Sequence, residues 1–351
     1  MVLTRRDFCK TGIAVLPAVG LMPARILRAA PEKPDSVFGG VQIGVIAPFS
    51  FRGMPDDAAS VLKDLVTDDL SGLEMQHYCA ERFAGAPASP GRGMLMRGMM
   101  ARGGGERGGT PGRAGRGVRR PPLTPEQKAA QAEAAERLKN WRLSVSMDKF
   151  KRLRQLYNDA GVTIYALKLA GGQFPVPMSQ EECAYAFNMA EALGARCLQI
   201  EFPQGDSGVT QMLGAEGARR KMMVGYHEHL DASPTLWDGA MAQSKYNGIN
   251  LDIGHWIAAG NSGPSLLEFI RKHHARITSL HLKDRTSKAH GGQARPWGHG
   301  ETPLKQILQL MKARQYAFPG TIELDYATPA GSTSLKEVAR CRRFCQNVLT
   351  A

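Results

Sequence analysis

The sequence predicts an α/β protein built as a closed (β/α)8 TIM barrel, and three observations lead to this fold class. Eight short apolar, β-rich runs alternate with amphipathic helical patterns from Val41 to the end of the chain. Residues 41–351 are enough for one such barrel of about 250 residues plus an insertion. Several of the runs end in carboxylates or imidazoles, at the strand ends where these barrels place their active sites.

Each element follows from a local pattern. The predicted strands span residues 41–48, 72–76, 163–170, 197–202, 222–229, 247–253, 277–283 and 320–325. The predicted helices span 56–68, 146–160, 179–194, 209–220, 234–244, 264–275, 302–316 and 334–349, with a further helix from Thr124 to Trp141. Ser179 and Glu182 have the spacing of a capping box, and Thr302 is the expected start of a later helix.

The net charge of +13 is concentrated in two segments. Residues 1–30 carry +4 and residues 88–123 carry +7, which leaves +2 for the remainder of the chain. A nearly neutral barrel has no basic face for nucleic acid, so we expect no nucleic acid to bind the barrel.

The N-terminal segment resembles a twin-arginine signal peptide. Arg5 and Arg6 precede Phe8 and Lys10, and an apolar run over residues 13–22 follows that is short for a membrane span. We therefore expect residues 1–30 to engage the twin-arginine export machinery and the protein to be periplasmic or otherwise exported. The competing interpretation is a basic amphipathic tail.

The segment 88–123 interrupts the alternating pattern. It is rich in Gly, Arg, Met and Pro and has no periodic apolar residues, so it predicts a disordered insertion within the barrel, at its catalytic end. An RGG-like contact with polyanions is the functional alternative, although no aromatic residue is interleaved to stack on bases. Thr124-Pro125 then predicts a new helix start.

The spacing of the cysteines predicts that they pack in the core and form no disulfides. Of six cysteines, Cys9 lies in the signal-like segment, and the other five show no CxxC spacing. Cys341 and Cys345 are one helical turn apart, a poor geometry for a disulfide. We expect all five to be small buried apolar side chains.

Polar pairs at strand ends carry the chemistry. Residues i and i+2 of a strand share a face, so both members of each pair point the same way. The pairs are His227 and His229, His281 and Lys283, Gln199 and Glu201, and Glu323 and Asp325. Since such groups are costly to bury unless paired or bound to a cation, they predict a shared site for Mn²⁺, Zn²⁺, Co²⁺ or Mg²⁺.

Five short motifs make the chain resemble the xylose isomerase-like barrel family, also called the sugar phosphate isomerase/epimerase family. They are Gly-Tyr-His-Glu-His (225–229), Leu-Asp-Ile-Gly-His-Trp-Ile-Ala-Ala-Gly (251–260), His-Leu-Lys-Asp (281–284), Gly-His-Gly-Glu (298–301) and Thr-Ile-Glu-Leu (321–324). Each is weak alone, but their order over successive strands is specific. The resemblance extends from Val41 to about Leu349.

The resemblance implies a metal site on strands five to eight. Its matching positions are Asp252, His281 and Glu323. On strand five the family's usual Glu is replaced by His227, so the fourth ligand is either His227 or Glu201. No nucleotide-binding glycine motif is present, so we expect no organic cofactor.

The implied activity is that of a divalent-metal-dependent isomerase or epimerase acting on a small carbohydrate, through proton transfer next to a carbonyl and an enediolate. Glu323 is the expected base, with His227 or Glu201 as its counterpart. The expected substrate-binding residues are His229, His255, Lys283, Trp256, Trp297 and His299. For His255 an equally favoured role is to hold Asp252, and for Lys283 it is an ion pair with Asp284 or Glu323. Packing is the stronger interpretation of both tryptophans.

Three other functions remain open. A metal-dependent lyase or dehydratase acting on keto-sugars or 3-keto-glycosides needs the same enediolate. An AP-endonuclease-like nuclease is disfavoured because only His77 follows the second strand and no histidine lies in the third. A non-catalytic sugar-binding barrel uses the same residue types.

Overall fold

The computed structural model describes residues 33–88, 124–170, 174–205 and 207–351, and it confirms the (β/α)8 TIM barrel. The eight parallel barrel strands are β1 (Val41–Ala47), β2 (Gly72–Gln76), β3 (Thr163–Leu169), β4 (Cys197–Glu201), β5 (Met223–His227), β6 (Asn247–Asp252), β7 (Ile277–Leu282) and β8 (Gly320–Ile322). All eight predicted strands are present.

Strand pairing closes the barrel. Each strand pairs with the next in the chain, and β8 returns to pair with β1 in parallel, with Thr321 opposite Gly44. The register places Asp252 opposite His281 and Glu201 opposite His227. The C-terminal ends of β4 to β8 therefore lie side by side at one mouth of the barrel.

Helices surround the strands. They are α1 (Ala58–Thr67), α2 (His77–Phe83), α3 (Pro125–Ser144), α4 (Asp148–Asp159), α5 (Gln180–Leu193), α6 (Ser207–Arg220), α7 (Asp238–Gln243), α8 (Ile253–Ala258), α9 (Gly263–His273), α10 (Leu304–Arg314) and α11 (Ser334–Thr350). Short strands Val37–Phe38, Asp284–Arg285 and Ala294–Arg295, and 3₁₀ turns His274–Arg276 and Lys288–His290, complete the described elements.

Capping side chains fix several helix starts. Ser179 and Glu182 form the predicted capping box of α5, and Thr124 forms another with Gln127 at α3. The predicted start of α10 at Thr302 is wrong. This helix begins at Leu304 after Pro303, because the Thr302 amide donates to the carboxylate of Asp284 instead.

Polar side chains occupy part of the barrel interior. Tyr165 of β3 crosses the barrel, and its hydroxyl lies 2.8 Å from Oγ1 of Thr321 on β8. Its ring passes directly over Gly44, where a Cβ would lie 2.5 Å from the tyrosine oxygen. Glycine at position 44 therefore leaves room for the Tyr165 ring inside the barrel.

Some predictions concern other parts of the chain. The signal-like segment over residues 1–30 and residues 89–123 of the insertion lie outside the described residues. Among the helices that the structure describes, none is both long and apolar enough to cross a bilayer. The five cysteines after the signal-like segment are buried, as expected.

Candidate metal centre

Four potential ligands converge at the mouth of the barrel. His227 ends β5, Asp252 ends β6, His281 lies on β7 and Glu323 directly follows β8. One donor atom of each side chain lies within 4.8 Å of the donors of the other three. All four residues are buried. Adjacent parallel strands thus bring together residues separated by up to almost a hundred positions.

Both ring nitrogens of His281 bond to carboxylates. Its Nδ1 lies 2.6 Å from Oε2 of Glu323, and its Nε2 lies 2.8 Å from Oε1 of Glu74. Burial lowers the pKa of His281, but the two carboxylates outweigh burial and raise the pKa to about 10. The ring therefore carries a proton on both nitrogens when no metal replaces one.

His227, unlike His281, is a neutral imidazole. Its Nδ1 lies 3.1 Å from Oδ1 of Asn250, so Nδ1 carries the hydrogen and Nε2 keeps its lone pair. Burial, together with the positive charges of Lys168 and His281, holds the pKa of His227 well below its usual range. A neutral imidazole with a free Nε2 is a competent metal ligand.

Lys283 lies beneath the carboxylates. Its Nζ is 2.8 Å from Asp252, 3.0 Å from Glu323 and 3.7 Å from Asp325. The ammonium is almost fully buried, yet these three carboxylates raise its pKa. Its stem passes over Gly254, where a Cβ would overlap Cγ of the lysine. Lys283 is a fixed positive charge.

The position of Asp252 is set by its own helix. Its Oδ1 accepts the backbone N–H groups of Gly254 and His255 at 3.0 and 2.9 Å, and so caps α8. Its Oδ2 remains directed at Lys283 and the neighbouring histidines. Glu323 is ionised: burial raises its pKa, but Lys283 and His281 outweigh burial and hold the pKa well below the usual range.

The donor set fits a divalent ion. Two imidazoles and two carboxylates suit Zn²⁺, Mn²⁺ or Co²⁺, which all accept mixed nitrogen and oxygen ligands. Nε2 of His281 donates to the carboxylate of Glu74, an arrangement that metal-ligating histidines commonly show, and this leaves Nδ1 for the ion. The ion would be held by His227, Asp252, His281 and Glu323.

Glu201 lies outside this four-residue cluster. Its carboxylate contacts Nε2 of His229 at 2.8 Å and Nζ of Lys168 at 3.2 Å. Burial opposes ionisation, but these two partners lower its pKa to about 2. Of the two predicted fourth ligands, the structure therefore brings His227 into the cluster, and Glu201 pairs with His229 beside it.

The predicted substrate-binding residues divide into two groups. His229 lies exposed at the rim, and His255 lies beneath it with Nδ1 3.2 Å from Asp252. The two tryptophans and His299 lie elsewhere. Trp256 is fully buried on Phe269, Trp297 packs edge-on against Phe344, and His299 is exposed in the loop after β7. The packing interpretation of both tryptophans is what the structure shows.

A buried polar network below the cluster was missed in the sequence. Asn250 donates to Oγ of Ser279 at 2.8 Å, and Ser279 lies 2.8 Å from the amide oxygen of Gln199. The nitrogen of that amide donates to Glu74 at 2.7 Å. Asn250 and Glu74, at the two ends of this network, hold His227 and His281. The available signal was a lone Glu in the apolar run of β2.

His77 takes no part in the cluster. Its Nδ1 accepts the backbone N–H of Ala170, and its ring packs against Phe174. This is the one histidine that follows an early strand, and a three-metal nuclease site needs such residues at the mouth. The nuclease alternative therefore has no structural support among the described residues.

No protein-family model matches the chain, and no curated protein matches it. Solved structures do. One is the probable 3-DHS dehydratase AsbF of Bacillus anthracis, with 12% identity, a TM-score of 0.54 and coverage of 88% of this chain and 99% of that one. A second is a sugar phosphate isomerase/epimerase of Parabacteroides distasonis, with 14% identity, a TM-score of 0.54 and coverage of 88% and 94%.

A third is the IolI protein with a bound zinc atom, with 10% identity, a TM-score of 0.54 and coverage of 88% and 98%. Likeness at such low identity establishes a shared barrel fold. The neighbours are thus sugar isomerase/epimerase-like and dehydratase barrels, and activity must be argued from the side chains of this chain.

Proposed function

We propose that this protein is a divalent-metal-dependent sugar isomerase or epimerase that moves a proton next to a carbonyl group. The observation that carries the proposal is the convergence of His227, Asp252, His281 and Glu323 at the open end of the barrel. Two imidazoles and two carboxylates in one buried cluster suit a divalent cation, and barrels of this fold place their active sites at this end. That one neighbour in fold binds zinc is in keeping with this assignment.

A bound divalent ion would polarise the substrate carbonyl and stabilise the negative charge that develops when the neighbouring carbon loses a proton. The other tasks belong to the side chains. Lys283 places a permanent positive charge 3.0 Å from Glu323 and keeps that carboxylate ionised. Glu323 can then accept a proton from a substrate carbon positioned beside it.

Glu201 is the proposed proton carrier on the other side of the mouth. It is ionised because Lys168 and His229 both contact its carboxylate. The side chain of Glu201 is 32% exposed, so this carboxylate is within reach of solvent. A proton returned to the adjacent carbon gives isomerisation, and a proton returned to the opposite face of the same carbon gives epimerisation.

Proton removal beside a carbonyl also permits lyase chemistry. If the substrate carries a leaving group β to the carbanion, the same step expels it, as a dehydratase or a 3-keto-glycoside lyase would require. The 3-DHS dehydratase among the neighbours in fold makes this the second proposal. Product analysis distinguishes the outcomes, since isomers keep the substrate mass and a lyase reaction yields two products.

Solvent exchange is the most direct test. Metal-free protein is reconstituted with Mn²⁺, Co²⁺ or Zn²⁺ and incubated in D₂O with a panel of ketoses and 3-keto-glycosides. We expect deuterium at the carbon beside the carbonyl, detected by NMR, only in the metal-loaded protein. Glu323→Gln should reduce the exchange rate at least about 100-fold, the range for losing a general base.

Glu301→Gln is the matched control. Glu301 lies in the loop after β7 and pairs with the exposed His290, so its loss should leave exchange within about twofold of wild type. Full exchange in metal-free protein, or in Glu323→Gln, would refute the proposed function.

We also propose export through the twin-arginine pathway, on the basis of Arg5 and Arg6. This route carries folded proteins, so the metal can be loaded before export. The test is immunoblotting of periplasmic and cytoplasmic fractions after Arg5→Lys/Arg6→Lys. We expect the periplasmic signal to disappear, and an undiminished signal would refute the proposal.

A further inference from the structure

We propose a second cation site, formed by the three imidazoles of His227, His229 and His255 and suited to Zn²⁺. We call it the outer site, and we call the cluster of His227, Asp252, His281 and Glu323 the inner site. One nitrogen from each of the three rings lies within 4.8 Å of the other two. The outer site lies on the solvent side, since the side chain of His229 is 61% exposed.

Ring positions fit tetrahedral coordination. The ring centroids of His227 and His229 are 5.1 Å apart, those of His229 and His255 are 4.9 Å apart, and those of His227 and His255 are 6.0 Å apart. With Zn–N bonds of about 2.0–2.1 Å, each centroid lies about 3.2 Å from the ion, so tetrahedral rings have centroids roughly 5.2 Å apart. The observed separations bracket this value.

The second nitrogen of each ring is held by an oxygen. Nδ1 of His227 bonds to Asn250, Nδ1 of His255 to the carbonyl oxygen of Glu228 at 3.1 Å, and Nε2 of His229 to Glu201 at 2.8 Å. Metal-ligating histidines almost always have such a partner, which fixes the tautomer and the ring orientation. Each of the three rings therefore has one nitrogen held and one available.

The two sites share one donor. His227 has only Nε2 to offer, and a single lone pair binds one ion. When zinc fills the outer site, the inner site retains Asp252, His281 and Glu323. Each position then has three protein ligands, the usual number in catalytic zinc sites. Mn²⁺ and Mg²⁺ prefer oxygen ligands and have none from the protein in the outer site.

The inference predicts different ion counts for different metals. We expect two Zn²⁺ ions per chain and one Mn²⁺ ion per chain, measured by equilibrium dialysis of the full-length protein followed by mass spectrometry of the metals. His229→Gln should reduce zinc to one ion per chain and leave manganese at one. With Co²⁺ in place of zinc, the same substitution should weaken the intense visible bands of tetrahedral coordination, because only the inner site then binds cobalt.

His290→Gln provides a closely matched control. The side chain of His290 is 71% exposed and bonds to Glu301 at 2.8 Å, much as the 61% exposed His229 bonds to Glu201 at 2.8 Å. We expect His290→Gln to retain two zinc ions. Equal zinc counts in wild type, His229→Gln and His290→Gln would overturn the outer site.

This result is separable from the proposed function. The inner site is tested by Asp252→Asn, which removes a ligand of the inner site only and should lower the Mn²⁺ affinity. An inner site without catalysis would leave the zinc count of the outer site unchanged. A missing outer site would leave Mn²⁺ binding and deuterium exchange intact.

Discussion

Binding of a divalent ion at the inner site should release one proton, and that proton comes from His281. The ring is doubly hydrogen-bonded between Glu323 and Glu74, and these two carboxylates raise its pKa to about 10. An ion can bind Nδ1 only after the Nδ1 proton has left. His227 contributes no proton, because its pKa lies well below the usual range.

The cost of this exchange follows from the pKa. A group with a raised pKa holds its proton until the pH approaches that pKa, so metal affinity should increase as pH rises. At about pH 7.5, removing a proton from a group with a pKa of about 10 costs about 3.4 kcal/mol, or roughly 300-fold in affinity. Between about pH 6.5 and 8.5 the dissociation constant for Mn²⁺ should fall about tenfold per pH unit.

Calorimetry measures the proton directly. Titration of Mn²⁺ into metal-free protein in buffers of different ionisation enthalpy gives the number of protons released, which should be one per ion. Glu74→Gln removes one of the two charges that hold the proton, so the pKa of His281 falls. The affinity profile of this variant should level off at a lower pH than that of wild type.

Glu136→Gln serves as the control, because Glu136 lies on the exposed face of α3 and should leave the profile unchanged. An affinity for Mn²⁺ that does not vary with pH in the wild type, with no proton released, would refute the assignment of His281 as a ligand through Nδ1.

Three further predictions concern stability and the shape of the site. Burial and the nearby charge of Asp64 raise the pKa of Asp68 to about 7, so Asp68→Asn should stabilise the fold by at most about 4 kcal/mol at pH 8, and the gain should disappear as pH falls to about 4 in urea unfolding. Gly254→Ala should reduce Mn²⁺ affinity at least about tenfold in titrations, because the new methyl group displaces Lys283. Arg142→Met should lower the free energy of unfolding by about 3–5 kcal/mol in the same assay. The substitution leaves the buried carboxylate of Glu81, which Arg142 binds through two hydrogen bonds, without its countercharge.

Matched substitutions check each of these. Asp148→Asn alters an exposed carboxylate and should give no gain at pH 8. Gly239→Ala adds a methyl group with no atom within 4 Å, so Mn²⁺ affinity should not change. Arg137→Met removes an exposed ion pair and should cost less than about 1 kcal/mol. A stability difference for Asp68→Asn that is the same at both pH values would contradict the raised pKa.

The strands were predictable because most of their residues are apolar and buried on both faces, as is usual for parallel strands. Two-residue periodicity also placed His281 and Glu323 correctly at the mouth. Periodicity gives the direction of a side chain and not its reach. It could not choose between His227 and Glu201 as the fourth ligand, a choice that the family resemblance left open. In the structure His227 lies in the cluster and Glu201 pairs with His229.

The contact of Glu74 with the site could not be predicted from the sequence, for a different reason. Its partner His281 is more than two hundred positions away, and only closure of the barrel brings β2 within 2.8 Å of that ring. A single acidic residue in a five-residue strand has no local pattern that separates an interior group from a surface one. For the two tryptophans the sequence favoured packing over sugar binding, and the structure shows packing for both.

The Tyr165 ring fills part of the barrel interior, where its hydroxyl bonds to Thr321 on the opposite side of the barrel. A substrate must therefore enter the mouth, and a product must leave it, from the same side of the barrel. Release of a product from the proposed site should therefore slow as solvent viscosity increases.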